Sequence, residues 1–132
     1  MQPEQEQIAR RAGGCAMTPA QIALAGAITR LAGWRWLAPM RALRGSGSPY
    51  HLGHEVSNEI MGSALPDLND PATAGILLEM LAPKLHPGDE ITLFKPGIWH
   101  IHIKRTGNLF TGSLGEALAQ ALLADDTEPA GG

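Results

Sequence analysis

The apolar positions of this chain alternate between helical and strand spacing. In TPAQIALAGAITRLAG, Ile22, Leu24, Ala25, Ile28 and Leu31 recur at helical intervals. Thr18 can cap the helix, Pro19 suits its first position, and Gln21 falls three residues after the cap, which is a capping box with the favoured proline added. Gly33 supplies a stop. The pattern predicts a helix over 18–32. In WRWLAPMRAL, residues 34–43, the period falls to two: Trp34, Trp36 and Ala38 alternate with Arg35, Leu37 and Pro39. This predicts a short strand that Pro39 confines to a sheet edge or splits. RGSGSP, 44–49, reads as a turn or flexible loop. YHLGHEVSNEIM, 50–61, fits either the second strand of a hairpin or a short helical turn.

LPDLNDPATAGILLEML, 65–81, opens with polar residues and ends as an apolar stripe of Ala72, Ile76, Leu77, Met80 and Leu81. Asp70 then Pro71 is a cap followed by a first-turn proline, and Pro83 closes the segment, so a helix is predicted over 71–82. EITLFKPGIWHIHIKR, 90–105, reads as a hairpin turning at Lys95-Pro96-Gly97. Trp99, Ile101 and Ile103 fall on one face; Ile98, His100 and His102 fall on the other. TGNLFTG, 106–112, can add a further short strand. Ser113 and Glu116 repeat the capping box before LGEALAQALLA, predicting a last helix over 114–124. The expected fold is α+β: two hairpins joining one small antiparallel sheet of about four strands, flanked by three helices. The expected organisation is a flexible leader over 1–16, a single domain over 17–124 and a disordered acidic tail over 125–132.

Composition narrows the function classes. A chain of 132 residues, 44% hydrophobic, suits one domain with a modest core. The formal charge of −3 argues against non-specific nucleic-acid binding. No apolar run reaches the ~20 residues of a membrane span, and MQPEQEQIARRAGG lacks a signal peptide's apolar stretch. The single cysteine, Cys15, excludes an intramolecular disulfide and reads as an incidental residue of the leader. A cytoplasmic setting is expected.

Three segments carry a family likeness: GWRWLAPMRAL, LPDLNDPATAGILLEML and TGSLGEALAQALLA, the last after a tryptophan-bearing strand. Together they resemble small phage and prophage accessory proteins of the phage ABA-sandwich type, over roughly residues 18–124 apart from 45–62. YHLGHEVSNE departs from that pattern. The resemblance implies a small antiparallel sheet flanked by helices, a host-cell cytoplasmic location and an accessory or anti-defence role, by analogy with phage proteins that sequester host nucleotide signals. Fold alone does not carry function.

Four sets of residues could carry chemistry. His51, His54, His100 and His102 could gather a zinc, copper or nickel ion, with Glu55 as base or fourth ligand; the ordinary account of them, and the one favoured, is a solvent-facing strand edge carrying polar residues, with His51 and His54 in a loop. Trp34, Trp36 and Trp99 could stack on a base while Arg35, Arg41, Lys104 and Arg105 meet phosphates; core filling is the ordinary role of such tryptophans. Asp67 and Asn69 are not needed for the Asp70 cap and are candidate ligand contacts, although both also suit Asx turns. RGSGS lacks the strand–helix setting of a phosphate loop. Walker, nucleophile-elbow and Rossmann signatures are missing. The sequence therefore predicts a non-catalytic protein without a cofactor, binding a small nucleotide-derived ligand through Trp34, Trp36, Arg41, Asp67, Asn69, Trp99 and Arg105, between subunits of a homo-oligomer. The alternatives are a protein-interaction module that blocks a host defence protein, and a histidine-based metal-dependent hydrolase.

Overall fold

The computed structural model describes residues 17–44 and 49–127. The expected leader over 1–16 with Cys15, the glycine-serine loop at 45–48 and the tail end at 128–132 lie outside the described residues.

The first helix, α1, spans Pro19–Ile28 and starts as its sequence directs. Thr18 accepts from the Gln21 backbone N–H at 3.1 Å, and the Gln21 side chain accepts from the Thr18 N–H at 2.8 Å. The helix stops four residues before its predicted end. Thr29 turns its hydroxyl onto the Gly26 carbonyl, and tight turns at residues 30–34 take over the hydrogen bonding. The period-two stretch follows. Trp34 and Trp36 are buried and Arg35 between them is exposed, as alternation requires. Only Trp36 pairs, in an isolated bridge with Val56, before the cis Ala38–Pro39 peptide. Proline thus splits the segment, and pairing resumes in β1, Arg41–Leu43.

β1 is the centre of a first sheet. On one side it pairs with β2, Tyr50–His51, and on the other with β3, Leu65–Pro66, both antiparallel. Between β2 and β3 lies a single-turn helix, α2, Asn58–Met61, capped by Ser57. The ambiguous 50–61 segment holds both predicted alternatives in succession. Helix α3, Pro71–Leu81, begins at its predicted residue: Asp70 accepts from the Thr73 N–H at 3.0 Å. A 3-10 turn at Ala82–Lys84 follows.

The second sheet is β4, Glu90–Lys95, β5, Ile98–Ile103, and β6, Asn108–Gly112, in chain order and antiparallel. Gly97, at φ +82°, makes the predicted β4–β5 turn in a left-handed conformation that suits glycine. Helix α4, Leu114–Thr127, packs against β5 and β6 and also against α1 and α3. Its Ala117, Leu118, Ala119, Ala121 and Leu122 are all buried, and the alanines let neighbours approach on several sides. It runs three residues past its predicted end, into the segment expected to be disordered tail.

The fold class is α+β, with one correction. The strands form two separate three-stranded sheets rather than one sheet of about four. β1 and β2 do make the first expected hairpin, but β3 is an extra two-residue strand that the sequence does not announce. It caps the first sheet, and α1 lies against it. The second hairpin gains β6 and closes its own sheet.

The three long helices share one polarity. Gln21, near the start of α1, is buried and donates to Asn69 at 3.0 Å and to Glu116 at 3.1 Å; Asn69 donates back at 3.2 Å. Asn69 leads into α3 and Glu116 lies in the first turn of α4. Their N-terminal ends therefore meet at one pole of the molecule, and residues from or just beyond their C-terminal halves line a common cleft at the other.

Candidate functional site

That cleft has a volume of about 370 Å³. Leu31, Gly33, Trp34, Arg35 and Leu37 form one wall, where the chain turns out of α1. Glu79, Met80, Pro83 and Lys84, from the end of α3 and the turn after it, form the other, and Leu122 of α4 forms the floor. The size suits a small organic molecule.

Trp34 is the distinctive residue. Its ring meets Trp36 edge to face, with centroids 5.4 Å apart and planes at 88°, an arrangement that favours the positive ring edge against the negative face. Its indole Nε1 is buried and has no hydrogen-bond partner; no other buried side-chain nitrogen or oxygen among the described residues is in that position. Leaving a buried donor unpaired costs about 1–3 kcal/mol.

The cleft's electrostatics are mixed. Arg35 pairs with Glu55, and Lys84 with Asp125 at 3.0 Å; the two cations are 61% and 48% exposed. Such pairs are worth about 0–1 kcal/mol, so either cation can turn to a ligand at small cost. Glu79 adds a negative charge to the wall.

The other predicted contacts fall elsewhere. Trp36 is 2% exposed and presents no stacking face. Arg41 donates to Asp67 at 3.2 Å, and Asp67 also accepts from the Asn69 N–H at 3.0 Å in the expected Asx turn. Asp67 is buried, and burial pushes its carboxyl above the usual range. The Asn69 N–H and the Arg41 guanidinium oppose that shift, while the Asp70 charge adds to it. Asn69 and Trp99 do come together: they line a shallower hollow of about 280 Å³ at the opposite pole, with Leu68, Asp70, Ser113 and Gly115. Its polar side chains are engaged in holding the helix starts: Asp70 caps α3, Ser113 accepts from the Glu116 N–H, and Asn69 binds Gln21. Arg105 lies beyond β5, beside a small groove shared with Asp89 and Asp125.

The histidines are spread over the surface. His51 Nε2 lies 3.1 Å from Asp70, and His54 bonds to the Glu55 carbonyl. His100 stacks on Phe94 with centroids 4.5 Å apart, and His102 is exposed on the same sheet face. Among the described residues no three histidine, cysteine or acidic side chains are grouped to hold a metal ion. No helix of the described residues is long and apolar enough to cross a membrane.

Two features escape the sequence reading. One is Gln21, which reads as a local cap and proves to be the link between three helix starts. The other is the cleft, whose lining comes from segments far apart in the chain. The only sequence signal for it is Trp34.

No family model matches this chain, and neither a curated protein nor a solved structure is similar to it. The likeness to phage accessory proteins rests on the three quoted segments alone.

Proposed function

We propose that this chain is a non-catalytic binding protein that sequesters a small nucleotide-derived ligand in the Trp34 cleft. The observation that carries the reading is Trp34, which lines the cleft of about 370 Å³ and whose buried Nε1 has no hydrogen-bond partner. A base ring fills the apolar space between Leu31, Leu37, Met80 and Leu122, beside Trp34. The apolar lining takes the neutral base, and Arg35 and Lys84, held only in exposed ion pairs, are the groups that meet a phosphate. The lining offers one carboxylate, Glu79, and one amine, Lys84, which is paired with Asp125, and no histidine, cysteine, serine or threonine; we assign it binding without catalysis.

The test is a titration with adenosine, guanosine, their monophosphates, cyclic dinucleotides and ADP-ribose, read by calorimetry and tryptophan emission. A nucleoside or nucleotide is expected to bind and shift the emission. Gly33→Phe, which places a ring at the cleft where a Cβ has no atom within 4 Å, should abolish binding without unfolding the chain. No heat from any of these compounds at millimolar concentration refutes the reading, as does binding that Gly33→Phe leaves intact.

A further inference from the structure

The second sheet has an open edge. No strand among the described residues pairs with the outer side of β4, and of its six residues only Ile91 is even half-buried. Leu93 and Phe94 are 54% and 63% exposed. An edge of this kind is usually blunted by charges in its middle, by proline or by a covering element. Here the middle reads Ile-Thr-Leu-Phe. The charges stand only at the ends, Glu90 and Lys95, and neither forms an ion pair among the described residues.

We propose that β4 is the docking edge for a second copy of this chain, joining two three-stranded sheets into one of six strands. The end charges select the geometry. Antiparallel pairing lays the Glu90 end of each copy alongside the Lys95 end of the other, with Phe94 directly opposite Glu90, whereas parallel pairing sets like charges together. The pleat then fixes the register. Glu90 and Thr92 oppose His102 and His100 within the sheet, so they share its outer face; Ile91 and Leu93 oppose Ile101 and Trp99 on the face toward α4. A two-fold axis at Thr92 keeps every residue on its own face. Thr92 meets its own copy, Ile91 meets the exposed Leu93, and Glu90 meets the irregular Phe94–Lys95 end, where the register shift returns Lys95 to the outer face opposite Ile98. A slip of one residue would set outer-face side chains against inner-face ones.

A six-residue edge is small beside a standard interface of about 800 Å² per partner, so the dimer should dissociate on dilution. Sedimentation equilibrium across about 1–500 μM is expected to show a shift from 14.0 kDa to twice that mass. Lys95→Glu and Glu90→Lys should each weaken association at least ~10-fold, and the double swap should restore it to within ~3-fold of the parent. Because Thr92 faces its own copy, Thr92→Cys in a Cys15→Ser background should oxidise to a covalent dimer, since directly opposed strand residues lie within disulfide reach. Thr111→Cys on the far strand should not. Glu90, Thr92, Lys95 and Thr111 are exposed, and circular dichroism checks that each variant folds. A chain monomeric at every concentration overturns the proposal. So does a dimer indifferent to the single swaps or unrescued by the double, and so does a Thr92→Cys variant that fails to cross-link.

Discussion

Gly115, the second residue of α4, has the tightest surroundings of the described glycines. A Cβ built on it would lie 2.0 Å from the Leu68 carbonyl oxygen and 2.9 Å from its carbon, where ordinary contact begins near 3.4 Å. Gly115→Ala therefore forces the start of α4 away from Leu68 by up to the 1.4 Å between those two distances, because the obstacle is backbone and cannot rotate aside. Overpacking of this kind costs about 1–3 kcal/mol. The retreat also pulls on Glu116, the next residue, whose bond from Gln21 is 3.1 Å long; losing it adds about 1 kcal/mol. The better helix propensity of alanine returns at most about 1 kcal/mol. The net loss is about 1–3 kcal/mol, or roughly 4–12 °C in Tm for a chain of this size. Gly75→Ala is the internal control: the same substitution in the middle of α3, exposed and with no atom within 4 Å of the new Cβ, should gain about 1 kcal/mol. Urea unfolding of both variants, followed by tryptophan emission and far-ultraviolet circular dichroism, gives the comparison. If Gly115→Ala is as stable as the parent, or stabilises as Gly75→Ala does, the close contact between α4 and Leu68 is refuted.

Further expectations concern the polar groups. Gln21→Ala removes the side-chain half of the capping box, which accepts from the Thr18 N–H, and the bonds to Asn69 and Glu116, and should cost about 2–3 kcal/mol by urea midpoint; a loss under about 1 kcal/mol would reduce Gln21 to an ordinary capping residue. Asp70→Ala should cost about 1 kcal/mol, read as a lower Tm. Asp67 has a raised folded pKa, so between its ordinary value and that raised value the unfolded chain releases the proton first, and this group's contribution to stability falls as pH rises. Asp67→Asn should therefore gain on the parent when Tm is followed from about pH 3 to pH 7, and a constant difference would contradict the burial argument. Asp89 behaves oppositely: the His86 backbone N–H, chiefly, and the Lys104 N–H hold its carboxyl below the usual range. Its contribution is present above the ordinary carboxylate pKa and lost as pH falls through the folded value, so Asp89→Asn should cost about 1 kcal/mol at pH 7 and little at pH 2.

What the sequence made legible was local. The starts of α1, α3 and α4 follow from Thr18, Asp70 and Ser113, because a cap is satisfied within three residues. The β4–β5 hairpin was readable because its turn and its alternation are contiguous. Sheet membership was not: β3 is only two residues long, and its pairing with β1 depends on where α1 and α3 have already placed it. The same distance dependence hid the site. Gln21 finds its partners 48 and 95 residues away, and nothing in a capping box signals that a side chain will be shared. Trp34 was readable as an aromatic of interest, but its role as an edge-on wall with an unmet donor required the neighbours that bury it. Asp67 and Asn69 proved to be joints of the scaffold rather than an open pair.

The clasp of Gln21, Asn69 and Glu116 ties the starts of three helices to one side chain. Like a rivet through three plates, Gln21 couples segments that lie 48 and 95 residues apart in the chain. Substitutions at Gln21 and at either of its two partners should therefore be non-additive in stability, because each removes a bond that the other also loses.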